Sequence, residues 1–227
     1  VRNIKKAQAH FFKNSNVLNK SDFLEIKHFE EIFEDSKKYE NYLRNSDIFI
    51  NSSTPSFNLP IMNLALKYNT NYADLASDIY KDEIISTLKF DQQILENEFK
   101  SQNLFALINL GISPGITNFL IGEKIHSLKN LPYEVKIKKL EINLLEEIQS
   151  KKLIFSWSPK VAIDELAFPP VFYKKNRPKT IEPFSKSKVY KFPYFRNIVD
   201  IYPVFQEELI SLKQSFPQIE NLKLFVG

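Results

Sequence analysis

The stretch Asp47-Ile-Phe-Ile-Asn-Ser-Ser-Thr-Pro-Ser-Phe-Asn-Leu-Pro60 joins a short apolar run to a polar turn that contains proline. The residues that follow, Ile61–Tyr68, have apolar side chains at helical spacing, so this part of the chain predicts a buried strand, a turn and a helix. Ligands of open α/β sheets lie outside the carboxyl ends of the strands. The turn Asn51–Pro55 is therefore a candidate ligand contact, and an ordinary strand-to-helix connection is the alternative.

Further segments repeat this order of strand, turn and helix up to about residue 130. Strands that alternate with helices predict an α/β fold, here a partial Rossmann-like doubly wound parallel sheet over residues 1–130. In chain order the predicted elements are helix Val1–Lys13, strand Phe23–Phe29, helix Glu30–Asn45, strand Asp47–Ile50, helix Ile61–Tyr68, strand Thr70–Leu75, helix Asp82–Ser101, strand Leu104–Asn109 and helix Ile116–Leu128.

The character of the sequence changes after residue 130. Val135–Leu145 predicts a strand of a different sheet, and prolines then divide the chain into short segments that are dense in aromatic residues. This pattern predicts a mixed α+β second domain over residues 131–227.

Composition argues against several classes of protein. The 227 residues carry a net charge of +4 and contain no cysteine, which excludes a disulfide framework and a thiolate metal site. No run of about 18 apolar residues occurs, so we expect no membrane span. The basic residues form no stripe interleaved with aromatics, so we expect no nucleic-acid binding. The lack of cysteine fits a cytoplasmic protein, and the isolated His10, His28 and His126 predict no metal site.

Two short segments have residue types that suit ligand binding. Gly111-Ile-Ser-Pro-Gly115 lies between a predicted strand and a predicted helix, where a carboxylate or phosphate could be held; a plain tight turn is the alternative. Ser156 and Ser158 flank Trp157, the single tryptophan, and could hydrogen-bond a polar substrate against an apolar wall. The alternative is that Trp157 anchors the core.

Two pairs of adjacent carboxylates also occur, Asp164-Glu165 and Glu207-Glu208. Paired carboxylates can share a proton or bind cations. Neighbours in sequence usually point in different directions, so we expect these side chains to be solvated. The chain contains no G-x-G-x-x-G loop, and we assign no catalytic nucleophile or general acid.

Taken together, these segments resemble the saccharopine dehydrogenase-like family of NAD(P)-dependent oxidoreductases. The similar segments occur in the family's order over most of the chain, and F-S-W-S-P after G-x-x-P-G is the most specific part of the resemblance. The segments are Val1–Asn3, Asp47–Pro55, Tyr72–Leu75, Gly111–Gly115, Phe155–Pro159, Asp164-Glu165 and Gln206–Leu212.

The resemblance implies an oxidoreductase that transfers a hydride between NAD(P) and the C–N bond of an amino-acid-derived secondary amine or imine. The cofactor is NADP or NAD, and Arg2 could meet the 2′-phosphate of NADP. The implied cofactor-binding residues are Arg2, Asn51, Ser52, Ser53, Thr54 and Pro55. The implied substrate-binding residues are Asp74, Gly111, Ser113, Pro114, Gly115, Thr117, Ser156, Trp157 and Ser158, of which Asp74 could instead order the strand end.

The resemblance also implies that the chain is an internal fragment. The family's first strand and glycine loop would lie upstream of Val1, and the second domain would continue after Gly227. The intact protein is then expected to be a homodimer that acts on a small amino-acid-derived molecule, while this fragment is expected to be inactive. A non-catalytic dinucleotide sensor or scaffold of the same lineage is the alternative function.

Overall fold

The computed structural model describes residues 31–77, 90–152, 154–155 and 158–227. The predicted helix Val1–Lys13, the predicted strand Phe23–Phe29 and the candidate site residues Arg2, Ser156 and Trp157 lie outside this range.

A broken helical segment precedes the first strand, where the sequence predicted one helix over Glu30–Asn45. Helix α1 (Glu31–Glu34), a 3₁₀ turn (Ser36–Tyr39) and helix α2 (Glu40–Arg44) replace it. The break falls at Asp35 and Ser36, residue types whose side chains favour caps and turns over helix interiors. Ser36 is buried, and its hydroxyl accepts a hydrogen bond from Lys67 Nζ at 2.7 Å. This bond holds the break against the helix over Asn58–Tyr68, to which Lys67 belongs.

The first sheet is parallel and has three strands, β1 (Ile48–Asn51), β2 (Asn71–Asp74) and β3 (Ala106–Leu107), in the order β1-β2-β3. Helix α3 (Asn58–Tyr68) connects β1 to β2 and ends at Asn69, whose left-handed backbone turns the chain back towards the sheet. The register places Asn51 opposite Asp74, so the polar ends of two strands lie side by side.

A 3₁₀ turn (Asp91–Leu95) and helix α4 (Glu96–Ser101) precede β3, and helix α5 (Ile116–Lys129) follows it. The core of this unit lies between α3, α4 and the sheet. Its buried members are Ile61, Met62, Ala65, Tyr72 and Phe99.

The second sheet has six strands and is mostly antiparallel. The elements of this part of the chain are β4 (Lys139–Leu144), α6 (Pro159–Ala167), β5 (Val171–Lys174), β6 (Arg177–Thr180), β7 (Lys188–Lys191), β8 (Ile198–Pro203), α7 (Glu208–Ser215) and β9 (Asn221–Val226). The strand order is β6-β5-β9-β8-β7, and β4 pairs in parallel with β9 along all six residues of each strand.

The α/β class is confirmed: a partial Rossmann-like parallel sheet with helices is followed by a separate, mostly antiparallel sheet. The division at residue 130 into two domains stays a prediction. The two units touch along α5 and α7, where Asn118 Nδ2 donates a hydrogen bond to Ser211 Oγ at 2.6 Å. Ile108, which follows β3, packs against the core clusters of both units.

The turn between β3 and α5 depends on glycine at two positions. Gly115 has φ +133, and a Cβ atom there would lie 2.1 Å from the carbonyl oxygen of Gly111. A Cβ atom on Gly111 would lie 2.5 Å from the carbonyl oxygen of Leu75, at the end of β2. Glycine at these positions therefore allows close backbone contacts within the turn and with the end of β2. The tight-turn interpretation requires such close packing.

We expect Gly115→Ala to lower the free energy of unfolding by at least about 1–3 kcal/mol, because alanine is strained at this φ and its methyl group has no space. The matched control is Gly122→Ala within α5, where the new Cβ would be 3.7 Å from its nearest neighbour, on Phe216. There we expect a gain of about 0.5–1 kcal/mol from helix propensity. Urea unfolding of both variants measures the difference, and equal effects would contradict the account of the turn.

Candidate functional site

Asp74 lies at the end of β2 and has 1% of its surface exposed. Its Oδ1 accepts a hydrogen bond from the Asn109 backbone N–H at 2.8 Å, and its Oδ2 accepts one from Gln92 Nε2 at 3.0 Å. Gln92 Nε2 also donates to Ser77 Oγ at 2.8 Å. Both carboxylate oxygens thus accept hydrogen bonds, one from the 3₁₀ turn before β3 and one from the chain after β3, which fits the strand-ordering role.

Asn51 has the corresponding position at the end of β1, with 3% of its surface exposed. Its Oδ1 accepts hydrogen bonds from the backbone N–H of Ser53 at 2.9 Å and from the Ser53 hydroxyl at 2.6 Å. Its Nδ2 donates to Asn58 Oδ1 at 2.6 Å, and the Tyr72 hydroxyl donates to the same oxygen at 2.9 Å. Asn51 therefore sets the shape of the turn after β1.

Burial controls the protonation of this network. Burial raises the pKa of Asp74, and the hydrogen bonds from the Asn109 backbone and from Gln92 act in the opposite direction. Burial, followed by the negative charge of Asp74, raises the pKa of the Tyr72 hydroxyl. Burial therefore disfavours the charged form of both side chains.

The turn beyond Asn51 forms one wall of a cleft. Ser52 and Ser53 are exposed, whereas Thr54, Pro55 and Ser56 line the cleft. The Thr54 and Ser56 hydroxyls lie 2.9 Å apart and are hydrogen-bonded to each other. Of the predicted cofactor-binding residues in the described part of the chain, Thr54 and Pro55 thus face this cleft.

The opposite wall comes from the second unit, mainly from α6 and the residues before α7. This wall is apolar over much of its area, and Val161, Phe168 and Phe205 line the cleft there. Ser158, immediately before α6, lines the same cleft. The enclosed volume is about 140 Å³. That is close to the size of an engineered cavity that holds benzene, so a small organic group fits inside.

Among the carboxyl groups that line this wall, Glu165 has the clearest shift in pKa caused by burial. Burial raises its pKa to about 7 from an ordinary value of 4.5, and the negative charges of Glu208 and Glu146 act in the same direction. Gln206 Nε2 donates a hydrogen bond to Glu165 Oε2 at 3.0 Å, which partly offsets these effects. A carboxyl group that changes charge near neutral pH in a cleft can accept or donate a proton.

The expectation that these paired carboxylates are solvated is wrong for Glu165, Glu207 and Glu208, whereas the Asp164 side chain is 39% exposed. Glu165 is half-buried, Glu207 has 8% of its surface exposed and Glu208 has 0%. The Ser113 hydroxyl donates a hydrogen bond to Glu208 Oε1, while Oε2 has no hydrogen-bond partner among the described residues. Burial raises the pKa of Glu208, and the bond from Ser113 opposes this shift. Tertiary packing, which adjacency in sequence does not encode, decides the exposure of both pairs.

The structure does not bring all the predicted substrate-binding residues together. Ser158 lines the cleft, but Gly111 and Gly115 line a separate groove between α5 and α7. Pro114 is buried, and the Thr117 hydroxyl donates to the carbonyl oxygen of Ile112 at 3.1 Å. A substrate contact for these turn residues stays a prediction.

Sequence analysis did not select Glu165 as a site residue, although a signal was present. Val161, Glu165 and Phe168 follow the helical spacing i, i+4, i+7; the first two lie one turn apart on α6, and Phe168 follows directly after the helix. All three line the cleft.

Two further findings bear on the chemistry. Within residues 31–77, 90–152, 154–155 and 158–227, no group of three or more histidine, aspartate and glutamate side chains could hold a metal ion. In the same part of the chain, no helix has the length and apolar character needed to cross a membrane.

The sequence matches no family model and no curated protein. The fold is similar to that of saccharopine dehydrogenase (L-Glu forming) from Saccharomyces cerevisiae, with a TM-score of 0.68 and 17% sequence identity. The similarity covers 99% of this chain and 47% of that chain, so the chain spans about half the length of its structural neighbour. At 17% sequence identity, this similarity shows that the chain and this oxidoreductase share a fold and are at most distantly related.

We expect Glu165→Gln to stabilise the fold at pH 8 by about 1–3 kcal/mol and to leave it unchanged at pH 4. The pKa of this carboxyl is higher in the folded state than in the unfolded state. The stability that the protonated carboxyl contributes is therefore fully present below pH 4.5 and is lost as the pH rises through about 7. Glutamine stays neutral and removes that loss. Urea unfolding at the two pH values measures the effect.

The matched control for this experiment is Glu123→Gln, at an exposed position of α5. We expect no pH-dependent difference from the wild type for this control. A Glu165→Gln variant with equal effects at pH 4 and pH 8 would contradict the raised pKa.

Proposed function

We propose that the protein containing this chain is an NAD(P)-dependent oxidoreductase that transfers a hydride between NAD(P) and the C–N bond of an amino-acid-derived secondary amine or imine. The observation that carries the proposal is the cleft between the turn after β1 and helix α6. The cleft lies at the carboxyl end of a parallel strand, and ligands of doubly wound sheets bind at this end. The similarity in fold to a saccharopine dehydrogenase supports the same assignment.

The residues of the turn fit one side of a dinucleotide. Ser52 and Ser53 are exposed residues at the strand end, and Thr54 and Pro55 present a hydroxyl and an apolar ring to the cleft. The 227 residues contain no glycine-rich loop of the type that holds a pyrophosphate. In this proposal the turn contacts the nicotinamide half, and Arg2 pairs with the 2′-phosphate if the cofactor is NADP.

The dinucleotide, when bound, supplies the hydride acceptor or donor. The contribution of this chain is position and electrostatics. The turn after β1 and helix α6 enclose the reacting groups, and the apolar side chains of Val161, Phe168 and Phe205 exclude water from them. Ser158, with Ser156 and Trp157 before it in sequence, is proposed to orient the substrate.

We expect Val161→Trp to abolish turnover, because an indole at this position fills the cleft that the proposal assigns to the substrate. The matched control is Ile163→Trp, on the same helix but 54% exposed and outside the cleft lining. The assay follows reduced nicotinamide absorbance in the full gene product that contains this chain, with saccharopine and either NAD⁺ or NADP⁺. Circular dichroism checks that both variants fold.

Retained turnover in Val161→Trp, with Ile163→Trp also active, would show that the cleft is not the reaction site. Dinucleotide binding by the wild type without turnover of any amine would favour the non-catalytic sensor instead. Absence of both binding and turnover in the full gene product would refute the oxidoreductase proposal.

A further inference from the structure

Helix α6 presents a negatively charged wall to the cleft. Among the described residues that line the cleft, Lys160 is the one basic side chain, and its Nζ lies 2.8 Å from Asp164 Oδ2. Glu165 and Glu207 line the same space. Among the described residues of the lining, acidic side chains outnumber basic ones, which favours a cationic group over a carboxylate or phosphate.

The position of Glu165 makes it the acceptor for such a cation. Its Oε2 accepts the bond from Gln206, and its Oε1 has no hydrogen-bond donor among the residues that the structure describes. Val161 lies one turn before it in α6, Phe168 follows directly after the helix, and both line the cleft, so the carboxyl group lies among apolar side chains. A carboxylate in such surroundings interacts more strongly with a cation than an exposed one does.

We propose that the cleft binds an organic ammonium group, with its carbon chain against the apolar wall and its N–H donated to Glu165 Oε1. When the ammonium proton transfers, an N–H bond breaks, an O–H bond forms at Oε1, and the electron pair stays on the amine nitrogen. The products are a neutral amine and a neutral carboxyl group. This role deepens the proposed function and rests on it, since a neutral amine is the form from which a hydride can leave the adjacent carbon.

The charged groups around Glu165 determine when this transfer occurs. Glu146 and Glu208 face it with like charge, and Asp164, Glu207 and Lys160 share its cleft. The like charges and burial keep the carboxyl protonated to near-neutral pH, so it loses its proton within the range where it can exchange one with an amine. Binding of an ammonium ion requires the ionised carboxylate and therefore strengthens as the pH rises through about 7.

Binding of n-butylamine tests this proposal without a dinucleotide and without turnover. We expect the dissociation constant for butylammonium to be about tenfold lower at pH 8 than at pH 6, in proportion to the ionised fraction of one carboxyl group with a pKa near 7. Butyrate and butanol, of similar size, should bind more weakly at pH 8. Isothermal titration calorimetry on the full gene product measures all three probes.

Three variants make the experiment specific to Glu165. Glu165→Gln should lose the pH dependence and weaken butylamine binding at pH 8 at least tenfold, whereas Glu165→Asp, which keeps the charge, should retain the pH dependence. Glu123→Gln, on the exposed surface of α5, should bind as the wild type does. Circular dichroism confirms folding.

Undetectable butylamine binding by the wild type at pH 8, tighter binding of butyrate, or an unchanged pH dependence in Glu165→Gln would each overturn the proposal. If butylamine binds as expected but the full gene product oxidises no amine, the ammonium site stands and the oxidoreductase assignment fails. If turnover occurs and the Glu165→Gln variant keeps the pH profile of kcat/KM, the assignment stands and the role of Glu165 fails.

Discussion

The buried carboxylate of Asp74 is the constraint on which the rest of the site depends. A carboxylate with 1% of its surface exposed is costly unless donors satisfy it, and here the Asn109 backbone and the Gln92 amide do so. These two bonds bring the segment after β3 and the 3₁₀ turn Asp91–Leu95 to the end of β2. The register of the sheet then places Asn51 alongside, and Asn51 shapes the turn that forms one wall of the cleft.

The second wall depends on how the two units meet. Asn118 and Ser211 join α5 to α7 by a hydrogen bond, and Ser113 donates to the buried Glu208 at the start of α7. With α7 held in this way, Phe205 and Glu207, which lie just before it, line the cleft opposite the turn after β1. The turn Gly111–Gly115 therefore contributes to the cleft indirectly, through this junction.

Periodicity in the sequence predicted the α/β class, strands β1 to β3 and helices α3 and α5, because strand and helix spacing are local properties. It predicted the ends less well. The strand expected over Leu104–Asn109 is Ala106–Leu107, since the Asn109 N–H bonds to a carboxylate instead of a neighbouring strand. The environment of Glu165 could not be predicted, because its raised pKa comes first from burial and then from the negative charges of Glu208 and Glu146, and tertiary packing decides both.

Proton exchange between Glu165 and an amine requires that this carboxyl group change charge near neutral pH inside the cleft. The carboxyl ¹³C chemical shift of Glu165, assigned by comparison with Glu165→Gln and followed from acidic to alkaline pH in glutamate-labelled protein, measures this change. We expect a single titration with a midpoint at about 7. A midpoint close to the ordinary 4.5 would mean that the carboxyl is exposed to water, and it would remove the basis for proton exchange at this position.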